Sequence, residues 1–296
     1  SRGTEAEPLI AKSLDLVRDK LLEGRPKEAF ELLDSLGNPD RFTDTYSQFR
    51  WHTNRAAALL LDGKKADAAR EYLAAAAIDP KLEKAWSNRA HGHLLLNDAN
   101  AALEATCEGL AAYPQSAPLW ALHVAAKQLA GDAEPECGVP KHLLDTSDVR
   151  FSLSQVRHKQ GRLEESLDLI RLCAEEEAPS LETRRCYLAA AISWAIEDPV
   201  AAYHDQLLPK QREALADALR RLEPLDATLA ALQIDGVSEE LCNNVCVALL
   251  LTRNLARAWA IASTGLARHP DLEGLLRIRV NELADKEDFV GLHHLT

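Results

Sequence analysis

Apolar residues recur along the chain in short helix-like blocks, and one block returns thirty-four residues further on. The stretch "RWHTNRAAALLLDG" at 50–63 is answered by "AWSNRAHGHLLLND" at 85–98. Both contain Asn-Arg-Ala, a run of three leucines and then a turn. A fixed step of this size is typical of repeat proteins, in which each repeat is one small structural unit. The pattern therefore predicts an internal repeat.

The same step holds for small residues, turn residues and prolines. The matching sets are Ala56 with Ala90, Ala68 with Ala102, Pro80 with Pro114, and Gly63 with Asn97 and Gly131. Each unit is predicted to be a helix, a short turn and a second helix that a proline ends, because proline cannot donate the helical hydrogen bond. The composition is rich in Ala and Leu and poor in β-branched residues, which favours helices over strands.

This spacing of small residues, turn residues and prolines resembles the tetratricopeptide repeat. Unit 83–116 supplies residues at the marked positions of that family, namely Trp86, Ala90, Asn97, Ala102, Gly109 and Pro114. Unit 239–272 matches with Cys246, Ala258, Gly265 and Pro270, and two further stretches match through Gly24 with Ala29 and through Gly161 with Ser166. The resemblance implies an all-α superhelical solenoid of roughly seven or eight antiparallel helix pairs, with small residues where helices approach closely.

The register is interrupted in two places. The stretch "GDAEPECGVPKH" replaces the expected start of a second helix, since two prolines and two glycines flank Cys137. We therefore expect an N-terminal array over 1–132, an irregular connector over 133–146 and a C-terminal array over 147–296. Within the last, 181–238 is expected to contain atypical helices.

Bulk composition excludes several classes of protein. A formal net charge of −12 with a pI near 5.3 argues against nucleic-acid binding, which needs a concentrated basic face. No apolar run reaches the roughly 18–20 residues of a membrane span. The six cysteines form no CxxC pair and no zinc pattern, so we expect buried free thiols, a reducing compartment and a cytoplasmic location.

No motif for catalysis is present. The nucleophile elbow, the phosphate-binding loop, the dinucleotide fingerprint and the zinc protease motif are all missing from the sequence. We expect no catalytic residues, no metal site and no cofactor, and we expect the five tryptophans to pack in the core. The chain is predicted not to be an enzyme.

The repeated Asn-Arg pair is the strongest candidate for a binding role. Asparagine occupies the sixth repeat position at Asn54, Asn88 and Asn244. In the resembled family this position faces the concave groove, where an amide can both donate to and accept from the backbone of an extended peptide. The alternative is that Asn merely tolerates a half-exposed helix face. The further residues expected on the concave face are Lys84, His91, Gln128 and Gln155. Arg55 and Arg89 are expected to turn toward the second helix and pair with acidic residues.

These features predict a non-catalytic protein-interaction module that holds an extended segment of another protein in its concave groove. Two other functions remain open, a substrate-recruiting arm of a larger enzyme such as a protein glycosyltransferase or sulfotransferase, and a scaffold that self-associates through its ends. Binding of chaperone tails is disfavoured. With Asn54 at the centre of that clamp, the flanking positions are Leu14, Arg18, Lys84 and Asn88, which do not complete it.

Overall fold

The computed structural model describes residues 2–222, 239–268, 270–271 and 273–286, and within these ranges the chain is helical with no β-strand. It divides into two compact units, Ser1–Cys173 and Ala174–Thr296. The prediction of an all-α chain is confirmed for the described residues.

The first unit is a succession of helices joined by short turns. They are α1 (Arg2–Leu22), α2 (Pro26–Leu36), α3 (Thr45–Leu61), α4 (Lys65–Ile78), α5 (Glu83–Leu95), α6 (Ala99–Ala112), α7 (Ala117–Leu129), α8 (Ser147–Lys159) and α9 (Leu163–Ala174), with 3-10 turns at Pro39–Arg41 and Lys141–Leu143. Neighbouring helices pack against each other from α1 through α8. Helices α1, α3, α5, α7 and α8 are the first helices of successive repeats.

The second unit contains six described helices. They are α10 (Leu181–Ala195), α11 (Pro199–Tyr203), α12 (Pro209–Arg221), α13 (Glu239–Leu251), α14 (Leu255–Arg268) and α15 (Glu273–Asp285). Helix α10 packs on α12 and α13, and α14 packs on α13 and α15. The 181–238 region departs from the repeat through the short α11, and its last part, 223–238, lies outside the described residues.

A left-handed residue ends the first helix of each regular repeat. The φ angle is +78° at Gly63, +58° at Asn97 and +89° at Gly131. The amide of Gly63 donates to the carbonyl of Leu60 at 3.1 Å, and the next amide donates to the carbonyl of Leu59 at 2.8 Å. This pair of hydrogen bonds satisfies carbonyls at the helix end and turns the chain toward the second helix. The thirty-four-residue step of turn residues in the sequence thus reflects a backbone conformation that favours Gly and Asn.

Small residues lie where helices touch, as the sequence predicts. The repeat alanines are fully buried, namely Ala56, Ala68, Ala75, Ala90, Ala102 and Ala258. A Cβ atom on Gly109 would lie 2.9 Å from the Cβ of Trp86, and one on Gly265 would lie 2.6 Å from Cδ1 of Leu275. A larger residue at either position would push neighbouring helices apart.

The segment between α7 and α8 is irregular apart from its 3-10 turn and lies within the first compact unit. Val139 and Leu143 are buried there against Val124 of α7 and Val149 of α8. Lys127 donates to the carbonyl of Cys137 at 3.1 Å. The segment thus supplies the apolar packing that a second helix provides in the other repeats.

Candidate functional site

The first helices of three successive repeats share one cavity, which we call the first-helix cavity. Its volume is about 240 Å³. The lining residues come from α1, α3 and α5, and they are Asp15, Arg18, Tyr46, Phe49, Arg50, Thr53, Asn54 and Lys84. Two of the residues predicted to bind a peptide, Asn54 and Lys84, are thereby brought together.

Asn54 both contacts a neighbouring helix and lines the cavity. It is half-buried, lines the first-helix cavity, and its Nδ2 donates to the backbone carbonyl of Leu14 in α1 at 3.2 Å. One amide hydrogen therefore ties α3 to α1. An amide carries a second donor hydrogen and an acceptor oxygen in addition, which is the chemistry needed to bind peptide backbone.

Asn88 is more buried than the sequence suggests. Only 8% of it is exposed, and its Nδ2 donates to Oγ1 of Thr53 at 2.8 Å. The half-exposed helix face considered as the alternative for these asparagines is thus found at Asn54, whereas Asn88 is buried. The reason is that α5 packs its sixth repeat position onto the fifth position of α3.

These contacts form part of a recurring link between successive first helices. Ser152 of α8 donates through Oγ to the carbonyl of Ala121 in α7 at 2.8 Å, in the same direction along the chain as the two asparagine bonds. Bonds from a polar side chain of one first helix to the preceding first helix thus recur along the first unit. Bonds of this kind fix the spacing of the helices that surround the cavity.

The arginines next to the asparagines turn toward the second helices, as predicted. Nε of Arg55 lies 3.3 Å from a carboxylate oxygen of Glu71 in α4, and NH1 of Arg89 lies 3.6 Å from a carboxylate oxygen of Glu108 in α6. Each guanidinium also lies over a tryptophan ring of its own helix, Trp51 for Arg55 and Trp86 for Arg89. In each Asn-Arg pair, the asparagine therefore contacts the first helix of the preceding repeat, and the arginine contacts the second helix of its own repeat.

The remaining predicted residues lie elsewhere. His91 is half-buried, with its ring stacked on Tyr72 at 4.7 Å between centroids, and burial lowers its pKa. Gln128 is half-buried on α7, and Gln155 is exposed on α8, where its Nε2 lies 3.4 Å from Oγ of Ser154. Asn244 is half-buried on α13, in the second compact unit. None of these four lines the first-helix cavity, and a role in peptide binding stays a prediction for each.

The charged side chains around the cavity differ in the ion pairs that they form. NH2 of Arg50 lies 2.6 Å from Oδ1 of Asp15, with 19% of the arginine side chain exposed. Arg18 approaches Asp15 at 3.9 Å and Asp19 at 3.4 Å from an exposed position. Lys84 is exposed and has no ion-pair partner in the part of the chain that the structure describes. Three cations against one lining carboxylate leave this cavity positive in an acidic chain.

Sequence reasoning missed some of the lining residues. Arg50 stands thirty-four residues before Lys84, so the repeat step itself could have paired them as two cations at one position. Tyr46 and Phe49 stack with their ring centroids 6.1 Å apart and form an aromatic wall of the cavity. Phe49 belongs to the core of α3, α4 and α5, and nothing in its spacing marks it as a cavity residue.

Other chemistry finds little support in the described residues. They contain no group of three or more His, Cys, Asp or Glu side chains placed to hold a metal ion. No helix among them has the length and apolar character to cross a membrane. The expectation of buried thiols holds for Cys173, Cys242 and Cys246, whereas Cys107 and Cys137 are exposed. Burial raises the pKa of Cys186 to about 12, so this half-buried thiol is a poor nucleophile at neutral pH.

The tryptophans are divided between the core and its margin. Trp51 and Trp194 are buried, and Trp86, Trp120 and Trp259 are half-buried. All five therefore take part in packing to some degree, and none of them lines the first-helix cavity.

Comparison with known proteins gives fold-level likenesses. No known protein-family profile matches the chain, and no curated protein matches it in sequence. A thermophilic tetratricopeptide protein of Thermus thermophilus, TTC0263, is 19% identical with a TM-score of 0.49, and the match covers 61% of this chain and 98% of that one. The APC/C hetero-tetramer Cut9–Hcn1 is 13% identical with a TM-score of 0.49, and the match covers 88% of this chain and 47% of that one. The chain's own helix pairs, its thirty-four-residue step and its repeated left-handed turn resemble those of tetratricopeptide repeats at the level of the fold.

Proposed function

We propose that this chain is a non-catalytic protein-interaction module, and that the face formed by α1, α3 and α5 holds an extended segment of another protein. The observation that carries the proposal is the first-helix cavity, in which Asn54 and Lys84 meet from different repeats. Stacked repeats use such shared surfaces because each repeat contributes a few side chains at a regular spacing.

The polar groups of the cavity suit an extended peptide. Backbone N–H and C=O groups of a bound segment need partners once water is displaced. The amide of Asn54 supplies both a donor hydrogen and an acceptor oxygen, while the exposed ring of Tyr46 supplies apolar surface. A small number of polar groups placed among apolar ones is the usual composition of a binding pocket.

A selection from a display library of short linear peptides tests the proposal. Peptides enriched on the intact chain are measured by calorimetric titration against the wild type and against Lys84→Trp, in which a bulky ring fills the rim of the cavity. We expect Lys84→Trp to weaken every selected peptide by about tenfold or more, which is about 1.4 kcal/mol.

Lys81→Trp is the matched control. Lys81 is also exposed, lies three residues before Lys84 and does not line the cavity, so it carries the same change of charge and bulk at a different place. Equal affinities for the wild type and the two variants would contradict the proposal, as would a selection that yields no binder.

A further inference from the structure

We propose that the chain has a second docking site, at which a basic amphipathic helix of a partner protein takes the place of a second helix that one repeat lacks. The site is a pocket of about 440 Å³ between α6 and α7, which we call the second-helix pocket. Its lining residues are Leu103, His123, Lys127, Ala130, Gly131 and Asp132. None of them lines the first-helix cavity, so the two sites are separate.

The repeat step shows which element is replaced. Helix α6 spans Ala99–Ala112, and a step of thirty-four residues places the next second helix at 133–146. That stretch forms only the 3-10 turn Lys141–Leu143. Pro135 and Pro140 lie within it, and proline in a helix interior removes a hydrogen bond and clashes with the preceding turn. The repeat that begins with α7 therefore has no regular second helix.

The first residue of a second helix is kept although the helix is not. Asp98 caps α6, because its carboxylate accepts from the amide of Ala101 at 3.0 Å. Asp132 stands one repeat later and accepts in a similar way from the amide of Glu134 at 2.9 Å. The chain after it then leaves the path of a helix. Asp132 thus marks the place where the second helix of this repeat would begin.

The irregular segment covers only part of that place. Val139 and Leu143 pack against Val124 of α7 and the apolar side chains of α8, and neither lines the second-helix pocket. Leu103 of α6 stays half-buried, whereas Ala69, its counterpart in α4, is fully buried. The segment therefore covers α7 beside α8 and leaves the pocket beside α6 open.

The regular repeats show what a second helix supplies at this position. Arg55 contacts Glu71 of α4 with its Nε at 3.3 Å, and Arg89 contacts Glu108 of α6 with its NH1 at 3.6 Å. His123 stands one repeat after Arg89. In both regular repeats the partner of this position comes from the second helix of the same repeat. A helix docked in the pocket would supply the equivalent partner to His123.

The hydrogen bonds of His123 define the chemistry of that partner. The hydroxyl of Thr106 donates to the carbonyl of Leu103 at 3.0 Å, so its oxygen accepts from Nδ1 of His123 at 2.9 Å. Burial and the charge of Lys127 lower the pKa of His123, so the imidazole is neutral at physiological pH and Nε2 is an acceptor. The described residues supply no donor to Nε2. A lysine, arginine or hydroxyl group of the partner helix would fit there.

The charges around the pocket favour a basic helix. Nζ of Lys127 lies 3.0 Å from Oδ2 of Asp132, so the cation of the pocket is already paired. Glu104 is exposed next to Leu103 on α6, and Glu134 is exposed two residues after Asp132. Acidic groups at the edge of an interface attract a basic partner and disfavour an acidic one. An amphipathic helix with an apolar stripe for Leu103 and basic residues beside it complements this surface.

The test uses three fluorophore-labelled peptides based on α4, a second helix of this chain. The first has the sequence of Lys65–Ile78 with Asp67→Lys and Glu71→Lys, the second has the unchanged sequence, and the third has the composition of the first in scrambled order. Because Glu71 contacts Arg55 in the chain, Glu71→Lys brings a donor to the position that His123 occupies in the repeat without a second helix.

Each peptide is titrated by fluorescence anisotropy against the intact wild-type chain and its variants. We expect the first peptide to bind at least about tenfold tighter than the other two and to gain helical circular dichroism when bound. Leu103→Lys should weaken it by about tenfold, and His123→Phe, which keeps a ring but removes the acceptor, by about threefold. Leu172→Lys is the matched control, because Leu172 is an exposed leucine of second helix α9 that does not line the pocket.

Several results would overturn the second-helix pocket. One is equal binding of the first and scrambled peptides, and another is an unchanged affinity in both Leu103→Lys and His123→Phe; if Leu103→Lys does not fold, His123→Phe alone decides. A loss of binding in Lys84→Trp would assign the peptide to the first-helix cavity instead. Sedimentation of the chain as a dimer that Leu103→Lys dissociates would assign the pocket to a second copy of the chain and contradict a partner helix.

Discussion

At the scale of single residues, one repeated side chain serves two purposes. Asn54 and Asn88 occupy the same repeat position and each donates to the preceding first helix, yet only Asn54 lines the first-helix cavity. Thr53 connects them, since it accepts from Asn88 and lines the cavity itself. The asparagines that hold neighbouring first helices together thus also position the cavity that we propose for binding.

This difference predicts different costs for two alanine variants. Asn88→Ala removes a buried hydrogen bond and leaves Thr53 without that donor, so we expect the free energy of unfolding to fall by about 1–2 kcal/mol. Asn54→Ala is expected to cost less stability but to weaken selected peptides by about 1–2 kcal/mol, since bound backbone groups lose a partner. Denaturant titration and calorimetry measure the two quantities.

A double-mutant cycle with Thr53→Val serves as the control. Thr53→Val keeps the volume of the side chain and removes its oxygen, so the cycle with Asn88→Ala isolates their hydrogen bond. A coupling energy near zero would contradict a stabilising hydrogen bond between Asn88 and Thr53. A larger loss of stability in Asn54→Ala than in Asn88→Ala would contradict the structural role assigned to Asn88.

A carboxylate in the second unit predicts a pH dependence. Burial acts to raise the pKa of Asp217, but hydrogen bonds from Arg221, Arg220 and Tyr187 outweigh it and hold the pKa below the ordinary 3.8. Because the folded pKa is lowered, the stabilisation is complete above the unfolded pKa and is lost as the pH falls through the folded value.

We therefore expect wild type to lose more unfolding free energy than Asp217→Asn between about pH 5 and about pH 2, and at neutral pH we expect the variant to be less stable by about 1–2 kcal/mol. Urea titrations at several pH values measure both effects. Parallel pH profiles for the two proteins would contradict this account of the Asp217 contacts.

At the scale of helices, much of the fold could be predicted because the repeat imposes the same requirement at each step. The turn at Gly63, Asn97 and Gly131 needs a left-handed residue, and the close contact at Gly109 needs a missing side chain. Such constraints select particular residue types at a fixed spacing, and this spacing can be recognised in the sequence. The packing between α7 and α8 could not be predicted, because Val139 and Leu143 reach the core from an irregular backbone with no period. The repeat step could have paired Arg50 with Lys84, but the ion pair of Arg50 with Asp15 of α1 depends on how the helices pack, which no local pattern records.

The turn predicts a ranked series at one position. A Cβ at Gly63 would meet no atom within 4 Å, so any cost of substitution comes from the backbone conformation alone. We expect Gly63→Ala to lower the unfolding free energy by about 1 kcal/mol, the order of the left-handed penalty. Gly63→Asn should cost less, because Asn97 takes the equivalent position in the next repeat. Thermal denaturation gives the ranking, and an alanine variant as stable as the wild type would refute the role assigned to this turn.

At the scale of the whole molecule, the chain consists of two compact units, and the first-helix cavity lies entirely in the first. The hydrophobic clusters around Leu14, around Phe49 and around Val149 also lie within that unit. The segment 133–146, predicted to be an irregular connector, lies within the first unit. Folding and binding of the first unit are therefore expected to need no residue of the second.

A fragment of residues 1–173 tests that expectation. We expect it to be helical by circular dichroism, to unfold cooperatively and to bind the selected peptides within about twofold of the affinity of the full chain, since the residues around the cavity are all retained. The Lys84→Trp fragment provides the control for binding at the same place. A helical fragment that has lost the peptides would mean that the second unit contributes to the binding surface.

The central claim is that the first helices of the first unit form the binding face, and photo-crosslinking tests it most directly. A selected peptide carrying benzoylphenylalanine at its central position is irradiated with the intact chain, and the attached residues are identified by mass spectrometry. We predict crosslinks on α1, α3 and α5, concentrated near Arg18, Thr53 and Lys84. Crosslinks confined to the second helices α2, α4 and α6, or to the second unit, would contradict it.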